Sequence, residues 1–194
     1  LRRAAGMRAL ARVRREHNLH EPFIFFPSSS ISPRKNLSRL LDAFESLQSK
    51  IPHHLYITGS RSWKAGETLA RLEGHGRVHR LGLVPLEDMA ALYTLAEFTV
   101  YPSLFEGLGI PILEAFQCGS PVLTTRQTSL PEVAGDAALL VDGYSVPDIA
   151  NGLLRLASQP DLRVACRLKG FEQVKGFRWE ITAKKVLDWI DAHR

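Results

Sequence analysis

The chain has 194 residues, 45% of them hydrophobic and 23% charged, enough to bury one sizeable core in a single domain with helical appendages. No apolar run approaches the roughly 18 to 20 residues that span a bilayer, and no signal peptide opens the chain, so a soluble protein is expected. The formal charge of +5 is local: Arg2, Arg3, Arg8, Arg12, Arg14 and Arg15 against Glu16 and Glu21 place +4 in the first 21 residues, a solvated helix or linker by default.

That arm is rich in Ala and lacks the Trp or Phe anchors of an interfacial helix, which weakens a lipid-binding reading. Basic and aromatic residues are not interleaved on one element, which disfavours nucleic acid. Beyond it, strands and helices alternate. The apolar run F-I-F-F at Phe23–Phe26 predicts a first strand. Asn36 then offers an N-cap, and Leu37, Leu40, Leu41, Phe44 and Leu47 follow at helical spacing in a helix ending before Pro52. His53 and His54, beside that proline, read as solvated loop. Residues 55–58 predict a second strand, 65–73 a helix, 78–81 a third strand and 86–96 a helix with Met89, Leu92 and Tyr93 on one face.

Phe98–Tyr101 predicts a strand ending at Pro102, and residues 103–119 follow as S-L-F-E-G-L-G-I-P-I-L-E-A-F-Q-C-G. Gly107 and Gly109 permit positive φ, Pro111 suits the first turn of a helix and Gly119 its C-terminal cap. A strand over 121–124 completes a βαβ unit, whose loop lies at the carboxyl end of a parallel strand, where open α/β sheets bind ligands. The amides of Gly107, Leu108 and Gly109, at the helix N-terminus, can cradle phosphate oxygens. Glu106 hangs from the loop and Glu114 falls near the first turn of the helix. Like charge makes both poor phosphate ligands, but both are good acceptors for sugar hydroxyls, with charge-assisted bonds of about 1.5–3 kcal/mol. One can hold a ribose and the other a hexose on either side of a diphosphate.

Further on, a strand is expected over Ala138–Val141 and helices over 147–157, 161–174 and Trp179–Ala192. Cys118 and Cys166 lack metal-ligand spacing and fit buried small side chains in a reduced compartment. The seven histidines form no H-E-x-x-H, and G-x-G-x-x-G after a strand, G-x-x-x-x-G-K-[ST] and G-x-S-x-G are all missing, so no metal and no bound cofactor is assigned.

Taken together, E-G-L-G-I-P-I-L-E-A…C-G-S-P-V resembles the signature of the retaining glycosyltransferases of family 4 (glycosyl transferases group 1), whose GT-B fold pairs two Rossmann-like domains. P-R-K-N-L-S-R-L-L-D-A-F and S-L-P-E-V-A-G-D-A-A-L-L-V-D resemble the family at the first βα junction and after the acidic motif. The resemblance runs from about residue 21 to 189 and covers the C-terminal, donor-binding half only, with the N-terminal acceptor-binding half missing. It implies a parallel sheet flanked by helices, divided as a basic linker or helical arm (1–21), a nucleotide-sugar-binding domain (22–176) and a C-terminal helix (177–194). In the family that helix packs across the other domain, which would leave the apolar face with Trp179 and Trp189 exposed here; an ordinary core role is the alternative.

The implied reaction is transfer of a hexosyl group from a nucleoside diphosphate sugar, with retention and without a metal. Lys35 matches the family lysine on the donor diphosphate, with Arg34 beside it. Leu81 and Val84 would receive the base, Glu106 the donor sugar and Glu114 the ribose, while the amides of Gly107, Leu108 and Gly109 face the diphosphate. At residues 27–32, serines stand where the family has a glycine, often followed by an arginine; their hydroxyls can donate to phosphate but add no charge. The resemblance also implies a cytoplasmic protein, inactive as this isolated half, and a membrane-associated acceptor is one option, since several family members use membrane-bound acceptors. The alternatives are a nucleotide-sugar epimerase of the same fold or a non-catalytic nucleotide-binding module.

Overall fold

The structure is a computed structural model that describes residues 6–61, 66–72 and 74–193. Its strands are β1 (Phe23–Phe26), β2 (Ser30–Ile31), β3 (His54–Thr58), β4 (Ser60–Arg61), β5 (Val78–Gly82), β6 (Phe98–Tyr101), β7 (Val122–Thr125) and β8 (Ala138–Val141). The α-helices are α1 (Met7–Glu16), α2 (Leu37–Glu45), α3 (Gly66–Ala70), α4 (Leu86–Leu95), α5 (Ile110–Gln117), α6 (Leu130–Ala134), α7 (Val146–Ser158), α8 (Pro160–Gln173) and α9 (Trp179–Ala192). Residues 65 and 73, the expected ends of the helix at α3, lie outside the described residues, as do Arg2 and Arg3 of the basic arm.

Six strands make one parallel sheet in the order β5-β3-β1-β6-β7-β8. Helices cover both faces, so the strands read as continuous apolar runs rather than alternating ones. Ile24 and Phe26 of β1 point into one core, with Leu40, Leu41 and Phe44 of α2 and Leu153 of α7. Phe23 and Phe25 point into the other, with Ala91, Leu92 and Tyr93 of α4 and Phe116 of α5. This is the Rossmann-like α/β fold that the strand and helix pattern implies.

The order of the strands fixes where a ligand can enter. The chain runs outward from β1 through β3 to β5, then returns to lay β6 on the other side of β1. The loops that leave β1 and β6 therefore diverge in opposite directions, and a crevice opens between them at the carboxyl ends of the two strands. Two hydrogen bonds from the loop after β1 tie it to its neighbours. The Asn36 side-chain amide donates to Pro102 O at 3.0 Å and to Gly143 O at 2.7 Å. Asn36 occupies the N-cap position of α2 but, contrary to expectation, its side chain makes no cap bond. Its left-handed backbone, φ 62°, turns the chain, and its amide is committed to the two carbonyls.

Three other expectations change. The basic arm is helical but not merely solvated: Val13 of α1 is fully buried, and Arg12 and His17 both engage the buried carboxylate of Asp88 on α4. His53 is buried rather than loop-exposed, its Nε2 lying 2.8 Å from Glu97 Oε2, and His54 begins β3. On α9, no described residue is buried, and Trp179 and Trp189 are 87% and 63% exposed. They are not core. No helix among the described residues is long and apolar enough to cross a membrane.

Candidate functional site

Lys35 leaves the end of a short 3-10 turn, Pro33–Lys35, just after β1. Glu106 sits in the loop after β6, and Glu114 one turn into α5. These three line one cleft of about 470 Å3, together with Ser28 and Ser29 from the β1 loop, Leu83 and Val84 after β5, and Leu108 and Gly109 before α5. Lysine and both acids thus open onto the same side of the sheet, at the switch point between β1 and β6.

Gly109 shapes the cleft floor. Its φ of 92° is left-handed, and a Cβ there would stand 2.8 Å from Leu130 Cδ2, so only glycine fits without strain. The turn it makes aims α5 at the crevice. Among the described residues, the amides of Gly107, Leu108 and Gly109 have no hydrogen-bond partner. These donors sit at the positive end of a helix dipole, an arrangement suited to an anion.

The charged groups are already engaged with one another. Lys35 Nζ is 2.7 Å from Glu106 Oε1 and donates to the Tyr101 hydroxyl at 2.5 Å, with the ammonium 4.7 Å from the Tyr101 ring centroid. Arg34 Nη1 reaches the same Glu106 oxygen at 2.9 Å and donates to Phe105 O at 3.2 Å. Burial pushes the Glu106 carboxyl up, but the Lys35 ammonium and the Tyr101 hydroxyl pull it further down, and it ends below its ordinary value. Burial lowers the Lys35 ammonium despite Glu106, and burial followed by the Glu106 charge raises the Tyr101 phenol. Two cations and a hydroxyl surround the Glu106 carboxylate and hold it ionised.

The sequence-predicted residues separate into two groups. Lys35, Val84, Glu106, Leu108, Gly109 and Glu114 line the cleft. Leu81 does not: it packs on the same core as Val84 but lines a separate depression with Leu69, Leu72, Arg80 and Gly82, and Leu83 lines the cleft beside Val84. Arg34 is at the rim, half exposed, its guanidinium spent on Glu106 and Phe105 O, and Gly107 is also outside the lining. Of the serines, Ser29 rather than Ser30 lines the cleft, while the Ser28 hydroxyl is committed to Ser30 O at 2.7 Å.

Sequence reasoning missed Tyr93 and Tyr101, which both line the cleft. Tyr93 looked like one more residue on the apolar face of α4. A tyrosine on a fully buried face carries a signal of its own, because its hydroxyl needs a partner.

The family profile "Glycosyl transferases group 1" matches residues 11–173. The chain belongs to that family. O-antigen chain mannosyltransferase B of Escherichia coli is 38% identical over 156 residues, which cover 78% of this chain and 41% of that protein. The chain therefore spans about two fifths of that relative's length. Among solved structures, the C-terminal domain of a glycosyl transferase group 1 family protein from Francisella tularensis superposes with a TM-score of 0.76 at 21% identity, over 89% of this chain and 93% of that one. Sucrose-phosphate synthase from Thermosynechococcus elongatus gives a TM-score of 0.77 at 25% identity, over 95% of this chain but 49% of that one. The group 1 chain has the architecture of one half of a GT-B glycosyltransferase.

Proposed function

We propose that this chain is the donor-binding half of a retaining glycosyltransferase and takes a nucleoside diphosphate sugar, with a hexosyl group as the transferred part. One observation carries the reading: a buried lysine, three unpartnered amides and two separate carboxylates line or border one crevice at the switch point of a parallel sheet. The mannosyltransferase relative supports a hexose. The diphosphate would lie against the amides of Gly107, Leu108 and Gly109 with Lys35 facing it, the base against Leu83 and Val84, and the ribose at Glu114.

Breaking the bond between the anomeric carbon and phosphate leaves negative charge on the diphosphate and positive character on the sugar. Lys35, Arg34 and the amides stabilise the first, an effect that grows toward the transition state. Glu106 receives the sugar hydroxyls. The cationic share comes from these side chains and amides, so the proposed reaction is metal-independent. The acceptor, a membrane-associated one included, is bound by residues outside this chain, and the isolated 194 residues bind donor without turnover.

The test is a thermal melt with UDP, GDP or ADP. A ligand that binds only the folded state at about 100 times its Kd adds about 2.7 kcal/mol, or roughly 5–10 °C for a domain of this size. One of the three nucleotides is expected to give such a shift. No shift from any of them at millimolar concentration means a module without a nucleotide site.

A further inference from the structure

Tyr93 is fully buried, and its ring packs edge-on against Phe25, with centroids 5.1 Å apart and planes at 80°. A ring so enclosed cannot turn without disturbing its neighbours. Packing, rather than a hydrogen bond, therefore sets where its hydroxyl stands. That hydroxyl donates to Glu114 Oε2 at 2.8 Å. Among the described residues Glu114 has no ion pair and no second side-chain donor, which leaves Oε1 without a protein partner beside the cleft.

The choice of donor has a chemical consequence. A lysine or arginine in this place would neutralise the acid and compete with an incoming hydroxyl for its oxygens. A phenol fixes the carboxylate and leaves its charge in place. Burial, and then the charge of Glu114, raises the Tyr93 phenol well above its ordinary range, so the group remains a donor at any working pH. Glu106 is held differently, by two cations. The two acids of the cleft are therefore built for different partners.

We propose that Tyr93 is a positioning residue for the donor: it holds Glu114 Oε2 so that Oε1 receives a hydroxyl of the nucleoside ribose. The inference rests on the reading of Glu114 as the ribose ligand. It adds a selectivity for ribose over deoxyribose that is set by a side chain the nucleotide need not touch.

The experiment is calorimetric titration of UDP, GDP and ADP, each with its 2′-deoxy and 3′-deoxy form, into the wild-type chain, Tyr93→Phe, Glu114→Ala and the double variant. Tyr93→Phe keeps the ring and removes one oxygen. It is expected to weaken binding of the ribonucleotide about 3- to 10-fold and to leave one deoxy form unaffected, so that the preference for ribose collapses. In the Glu114→Ala background it adds nothing. A purely structural role weakens ribo and deoxy forms alike, or persists without Glu114; either result overturns the proposal. A wild-type chain that binds none of the three nucleotides overturns the ribose reading and the proposal together, whereas intact selectivity in Tyr93→Phe overturns the positioning role alone.

Discussion

Replacing Lys35 by methionine isolates the ion pair at the centre of the cleft. The Lys35 and Glu106 side chains are 7% and 11% exposed, and their charged atoms are 2.7 Å apart. Removing one partner of a buried pair costs about 3–5 kcal/mol, because the other charge stays buried. Two features reduce that figure here. Arg34 Nη1 remains 2.9 Å from the same carboxylate oxygen, worth less than about 1 kcal/mol for a half-exposed partner, and methionine refills much of the aliphatic volume. Lys35→Met should therefore lose about 2–4 kcal/mol at pH 7, or roughly 5–15 °C in melting temperature for a chain of this length.

The pH dependence supplies a second check on the same variant. Glu106 is depressed in the folded state, so its contribution is fully present above its ordinary value of 4.5 and is lost as pH falls through the lower folded value. The wild-type advantage over Lys35→Met should then be largest at pH 7 and shrink once pH drops below 4.5. Urea unfolding followed by far-ultraviolet circular dichroism, at pH 7 and at pH 3.5, measures both numbers. Equal stability of the two proteins at pH 7, or the same difference at both pH values, refutes the reasoning.

Two further substitutions test the frame around the site. Gly152 lies inside α7, where alanine would ordinarily gain about 1 kcal/mol of helix propensity. Here its Cβ would stand 2.7 Å from Leu123 Cδ1 and 2.8 Å from Val141 Cγ1, both in the buried core. Overpacking of about 1–3 kcal/mol should leave Gly152→Ala less stable by denaturant titration, and a stabilised variant would show that α7 is not seated on β7 and β8 as described. Trp189→Ala should change stability by less than about 0.5 kcal/mol in the same titration, because α9 buries none of its described residues; a loss above 1 kcal/mol would show that α9 is packed in solution.

Most of the sheet was legible because its strands are short apolar runs between punctuating residues. F-I-F-F and F-T-V-Y give β1 and β6 at the expected bounds, and the run after Pro121 forms β7, shifted by one residue to Val122–Thr125. The two-residue strands β2 and β4 were not legible, since two paired residues leave no periodicity to read. The acids of the cleft were placed by their spacing around a glycine turn. Leu81 lies at an irregularity of the β3–β5 ladder, where Thr58 pairs with Gly82 and Leu81 is passed over, a feature that the apolar run of the strand does not display. Tyr93 and His53 were misread for a common reason. Each is polar, each is fully or almost fully buried, and each hydrogen-bonds to a carboxylate distant in sequence, Glu114 and Glu97. Such a residue reveals its partner only when the fold is known.

The geometry of the cleft also constrains how the proposed donor can bind. Lys35, the cation proposed to meet a diphosphate, is paired with Glu106, the acid proposed to meet the sugar. A diphosphate that takes the ammonium must loosen the carboxylate, and a carboxylate that is mostly buried cannot be left without partners. Sugar hydroxyls can supply them. A single ligand carrying both phosphate and hexose exchanges one internal ion pair for two external contacts, while the unpartnered amides before α5 gain an acceptor. In the proposed reading, the ion pair of Lys35 and Glu106 makes phosphate recognition and sugar recognition interdependent. Glu114, held by a neutral phenol and in no ion pair among the described residues, stands outside that exchange. The nucleoside end of the donor can dock there before the reacting end disturbs any charge.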